Sequence, residues 1–139
     1  MRSLTLEQLQ NLTLADVSGR PNWCRVRLAR QAEIDALAGP IGEGNDRGII
    51  SDWRMIALDV MGQPITLVLL GNRGRENYGT SPIVMIDRAS GKVRTRSRSI
   101  YTLAEIGEGA PPVEHVLHLC ALLLHWGWGP ALNLPEVSY

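Results

Sequence analysis

One arm of a hairpin constrains this chain more than any other stretch. Residues 80–103 read TSPIVMIDRASGKVRTRSRSIYTL. The first arm, Pro82-Ile83-Val84-Met85-Ile86-Asp87, leads to a turn at Arg88-Ala89-Ser90-Gly91, with Gly91 placed where a hairpin loop needs positive φ. Beyond the turn, Lys92, Arg94, Arg96 and Arg98 recur at every second position. Strand side chains alternate between faces, so this spacing predicts four cations along one face and Val93, Thr95, Ser97 and Ser99 along the other. Like charges so close repel unless their face meets water or an anionic surface. The rest of the chain must therefore cover one side of the ribbon and leave the other open.

The remaining pattern predicts an α+β domain spanning residues 1–139, with an antiparallel sheet of about five strands packed by N-terminal helices and a C-terminal hydrophobic helix. Thr5 and Gln8 have the spacing of a capping box, so a first helix is expected there, with Leu6, Leu9 and Leu12 on its apolar side. Residues 23–28 alternate, Cys24, Val26 and Leu28 against Arg25 and Arg27, which reads as a strand with one wet face. ARQAEIDALA suits a helix that Gly39-Pro40 stops. Residues 41–51, with glycines at 42, 44 and 48, read as a loop; GPIGEGNDRG lacks both the Lys-Ser/Thr ending and the preceding strand of a phosphate cradle.

Strands are expected over 53–60 and 64–70, joined by a turn at 61–63. ITLVLL is apolar at almost every position, which predicts burial on both faces and the centre of the sheet. Residues 71–79, which include Arg73 and Arg75, read as a polar loop. Pro112 opens and Gly127 closes a final helix that is apolar nearly all round. The expected core is Val26, Leu28, Leu58, Ile65, Leu67, Leu69, Ile83, Met85, Val116, Leu117, Cys120 and Leu124.

Composition limits function. Fourteen basic residues balance fourteen acidic ones, so an electrostatic partner must be read by a local patch and not by net charge. Two distant cysteines do not make a secreted disulfide scaffold. The N-terminus has no apolar signal region, and the run 116–126 is too short to span a bilayer, so a cytoplasmic protein with no membrane partner is expected.

Glu114, His118 and His125 are spaced by four and seven on one helical stripe, and carboxylate and imidazole are ordinary metal ligands. No second His or Cys pair complements them, so they are read as the polar positions of a buried helix, and neither metal nor cofactor is expected. Ser51, Ser81 and Cys24 are nucleophiles in principle, but none lies in a nucleophile-elbow pattern, and no enzymatic activity is expected.

The basic arm carries three readings. It can pair with acidic protein side chains, whose carboxylates suit the guanidinium fork. It can lie along phosphates with Tyr78 and Tyr101 stacking on bases. It can also be a solvated face balanced by Asp46, Glu76 and Asp87. The candidate partner-binding set is Lys92, Arg94, Arg96, Arg98, Tyr101, Arg73 and Arg75, with Leu122 and Trp126 on the last helix. Because that helix is more apolar than one sheet can cover, an outer groove of Leu119, Leu122, Leu123 and Trp126 is expected to hold a second copy or a partner.

Thr80-Ser81-Pro82, Asp87, Gly91, Arg94-Thr95-Arg96 and Tyr101, followed by a leucine-rich segment ending HWGWGPALNLPEV, resemble a pattern in short proteins carried by plasmids and phages of proteobacteria. The likeness covers about the second half of the chain and no catalytic motif. Small accessory proteins of mobile elements are often inhibitors of host defences, anti-CRISPR proteins among them. The resemblance thus implies an inhibitor that binds a host protein or ribonucleoprotein; the alternative is a nucleic-acid-binding module.

Overall fold

A computed structural model describes residues 12–18 and 24–127. The expected helix at Thr5, Trp23 and the tail after Gly127 lie outside the described residues. Three helices and seven strands follow in the order α1 (Leu14–Val17), β1 (Cys24–Leu28), α2 (Gln31–Asp35), β2 (Asn45–Val60), β3 (Thr66–Arg73), β4 (Glu76–Gly79), β5 (Ile83–Asp87), β6 (Lys92–Thr95), β7 (Ser99–Leu103) and α3 (Val113–His125). The class is α+β. The sheet is larger than about five strands and is mixed, not antiparallel. Its order is β4-β3-β2-β7-β6-β5, with β1 also on β2, and β2 runs parallel to β7 while the other pairs are antiparallel.

The long strand β2 organises the layers. Its first half pairs with β7 from Asn45↔Ser99 to Ile50↔Leu103. Its second half lies between β3 and β1, with Ile56 opposite both Val68 and Leu28. Between the halves the register with β3 shifts from Ser51 to Arg54, and Asp52 takes φ 46°. Gly71 allows the close passage here, since a Cβ on it would stand 2.7 Å from the Ser51 carbonyl oxygen.

Alternation along the central strands then feeds two cores. Ile56, Leu58, Val68 and Leu70 face α1 and α3, where they join Val17, Cys24, Val26, Val116, Leu119, Cys120 and Leu123. Met55, Ala57, Leu67 and Leu69 face the other way and pack on Ile83, Ile86, Val93 and Tyr101 of the β5–β7 half. The ITLVLL run is buried on both faces for this reason: helices cover one side, and the curled-over sheet covers the other.

Several expectations need correction. Residues 45–51 are strand, not loop; glycine content is a local signal, and here parallel pairing to a segment fifty residues away overrides it. The loop expected at 71–79 is the end of β3, a turn and β4, with Arg73 opposite Glu76. The helix after Arg30 is only five residues long. Leu28 and Ile65 are 41 % and 37 % exposed, while Met85, Leu117 and Leu124 are only half-buried. No helix among the described residues is long and apolar enough to cross a membrane.

The glycine-rich run proves to be a strap. Gly39 donates to the Ile86 carbonyl on β5, and Asn45 donates to the Arg98 carbonyl beside β7, so the segment between them crosses the outer side of the β5–β7 half. It carries glycine at each strand it passes. A Cβ would come within 2.6 Å of Met85 Sδ at Gly39, 2.5 Å of Arg94 Nη1 at Gly42 and 2.9 Å of Ile100 Cγ1 at Gly44. At Gly44 a Cβ would also stand 2.6 Å from the Arg98 carbonyl oxygen, a backbone contact that requires glycine, whereas the ends of Met85 and Arg94 could shift aside.

Candidate partner-binding surface

The four-cation row does not form. Lys92 and Arg94 lie on β6 with Val93 and Thr95 turned inward, as alternation requires. After Thr95 the chain turns: the Arg98 amide donates to the Thr95 carbonyl at 2.9 Å, and Arg98 takes φ 67°. A three-residue loop whose last residue is left-handed is a standard hairpin connection, normally with glycine at that position. Here Arg98 occupies it, so neither Gly nor Asn marks the turn. The only local signal is the run Thr95-Arg96-Ser97-Arg98-Ser99, rich in hydroxyls that satisfy turns. Ser97 Oγ lies 2.9 Å from Ser81 Oγ and 3.0 Å from Thr95 Oγ1. Arg96 and Arg98 therefore project from a turn, and Arg94 is half-buried beneath the strap.

Tyr101 is not a stacking platform. It is 4 % exposed, and its hydroxyl is 2.8 Å from that of Tyr78, with ring centroids 5.6 Å apart. Burial and this bond push its pKa up to about 12. The Tyr78 ring is covered in turn by Arg73, whose guanidinium carbon sits 5.5 Å from the centroid. The two tyrosines join the facing halves of the sheet, and Arg47 is close enough to Tyr101 to favour its ionised form. Arg75 stands exposed on the β3–β4 turn. Sequence reading missed Arg47 because it lay in a supposed loop.

The four residues expected to line an outer groove on α3 do not form one among the described residues. Leu119 and Leu123 are fully buried against the sheet, Trp126 packs on the same core, and Leu122 lies against Gly79 of β4. A helix layered on a sheet buries the side that faces it; Leu119 and Leu123 are on that side, and Leu122 and Trp126 are half-buried at its margin. His115 turns inward as well. Its Nε2 donates to Asn72 Oδ1 at 2.7 Å, and burial holds its pKa below the ordinary histidine value. Glu114 and His125 are exposed and His118 is half-buried; no group of three His, Cys, Asp or Glu among the described residues could hold a metal. Cys24 and Cys120 are buried, unbonded thiols whose pKa burial raises, Cys120 to about 12, so neither is an activated thiolate.

Few charges of either sign are held in ion pairs. Of the twelve cations among the described residues, only Arg27, Arg54 and Arg88 form ion pairs. Arg27 joins Glu33 at 2.8 Å and Asp59 at 3.1 Å, which holds the Glu33 carboxyl at about 2. Arg54, 7 % exposed, donates to the carbonyls of Gly109 and Glu108 and lies 3.5 Å from Asp52. Asp87 does not balance the basic arm: it accepts the amides of Ser90 and Ile41, and these bonds lower its pKa. The nine cations left without an ion pair include Arg47, Arg73, Arg75, Arg96 and Arg98.

No protein-family model, no curated protein and no solved structure matches this chain.

Proposed function

We propose that this protein is a non-catalytic binding domain whose exposed arginines meet carboxylates of a partner protein. One observation carries the reading: nine of twelve described cations have no ion pair, although the chain holds as many acids as bases. Guanidinium groups left on turns and strand ends are available for bidentate contact with carboxylates. Nucleic acid is the weaker partner, because Tyr101 is buried and the Tyr78 face is taken by Arg73, which leaves neither of them free to stack on a base. The resemblance of the second half implies the kind of partner: a component of a bacterial host's defence, such as the protein surface of a CRISPR ribonucleoprotein.

Capture from a proteobacterial host lysate tests the reading, with the wild type compared against a variant carrying Arg47→Glu, Arg73→Glu and Arg75→Glu. The wild type should retain a stoichiometric protein that salt releases, and the variant should lose it at unchanged thermal midpoint. Equal capture by the variant overturns the proposal. Retardation of nucleic acid by the protein alone, weakening steeply with salt, would establish the alternative module instead.

A further inference from the structure

We infer that the cleft between β1, β2 and residues 104–109 docks one large apolar side chain of a partner protein segment with lysine or arginine next to it. The cleft measures about 200 Å³ and is walled by Leu28, Ile34, Trp53, Met55 and Ile106. An apolar cavity of about 150 Å³ holds benzene, so this one has room for a leucine or an aromatic ring. Leu28 and Ile106 stand 41 % and 62 % exposed at its edge, apolar surface that the described residues leave open.

The walls are held in place. Arg54 Nε donates to the Gly109 carbonyl at 3.0 Å and Nη2 to that of Glu108 at 2.7 Å. Trp53 is tied at both ends: its indole N–H donates to the Ala104 carbonyl at 3.0 Å, its amide donates to Glu105, and its carbonyl accepts from Gly107. A preformed site avoids the ordering cost of binding.

Charge names the occupant. Lining residues and their immediate chain neighbours supply five carboxylates, from Glu33, Asp35, Asp52, Glu105 and Glu108, against three guanidiniums, from Arg27, Arg30 and Arg54. Glu33, Asp52 and Asp35 are already held in ion pairs by Arg27, Arg54 and Arg88, which leaves Glu105 and Glu108 against Arg30. Glu105 and Glu108, on either side of the exposed Ile106, have none among the described residues. A cationic segment is steered to such a rim, and an anionic one is repelled. This surface shares no residue with the Arg47, Arg73 and Arg75 set, so either one can fail alone.

The full chain, with labelled isoleucine, leucine and methionine methyls, is titrated with a heptapeptide of central tryptophan, two lysines on each side and a glycine at each end. The Leu28, Ile34, Met55 and Ile106 methyl signals should shift together. Alanine in place of the tryptophan should weaken binding at least about tenfold, as loss of an anchor does. Glutamates in place of the lysines should abolish it. Ile106→Ser, at an exposed site, should lose the peptide and keep the wild-type thermal midpoint. The proposal is overturned by shifts confined to other methyls, by no shift at millimolar peptide, by equal binding of the alanine or glutamate peptide, or by an Ile106→Ser protein that folds and still binds.

Discussion

Gly42 crosses directly over the guanidinium of Arg94, so that a Cβ on the glycine would stand 2.5 Å from Nη1. The glycine also holds φ +69°. Gly42→Ala should therefore destabilise the fold by about 1–2 kcal/mol from the left-handed backbone alone, with the contact added. Combining it with Arg94→Ala should recover the contact and not the backbone term. Urea midpoints of the two variants and the double variant separate these contributions; full recovery in the double variant would show that backbone strain is absent.

Arg98 poses the opposite case, because a long side chain occupies a left-handed position at φ 67°. Arg98→Gly removes that strain but frees the unfolded chain, and the two effects partly offset. The expected outcome is a gain of up to about 1 kcal/mol. Arg98→Ala keeps the strain and should leave stability almost unchanged. Denaturant unfolding of both variants is the check, and a less stable glycine variant would assign the Arg98 side chain a structural contact.

Removing Arg54 should cost more than removing any exposed arginine. Arg54→Ala strands two carbonyl acceptors, on Glu108 and Gly109, and leaves Asp52 without its cation. With Asp52 partly exposed to water, the loss should be about 2–4 kcal/mol. Hydrogen exchange should show the damage localised, with the amides of Trp53 and Gly107 losing protection first.

Acid should lower the stability of the protein over two pH ranges. His115 and His118 both titrate below the unfolded value of 6.5 because burial disfavours their charged forms. The unfolded chain then binds more protons, so this stability is present above pH 6.5 and is lost as pH falls through that value toward the folded pKa values. Glu33, held at about 2 by Arg27, contributes stability above its unfolded value of 4.5 that is lost between there and about pH 2. Thermal midpoints recorded from pH 8 to pH 2 should show both declines. His115→Gln should flatten the upper one, and Arg27→Met the lower one.

Much of the architecture is written locally. Cys24, Val26, Arg25 and Arg27 alternate as a half-wet strand must, and the structure pairs them against β2. The arms of the β5–β6 hairpin meet around a turn in which Gly91 takes φ 66°. Pro112 caps α3, and Gly127 follows its end at φ 81°. The unbroken apolar run of β3 announces two buried faces without saying what covers each.

The candidate site was far less legible. Lys92, Arg94, Arg96 and Arg98 have a strand's period, yet only the first two lie on a strand, because β7 must fold back to pair with β6 and the turn falls among the arginines. Tyr101 has the composition of a binding residue and spends its hydroxyl on Tyr78. Arg47 enters the surface because residues 45–50 pair in parallel with β7, a partner some fifty residues away. Alternation and turn chemistry act between neighbours in the chain, so the sequence by itself determined most strands, the final helix and the doubly buried centre. Which face each element shows to water depends on what else is left to cover it. Only the closing of the sheet over its own apolar side decided that.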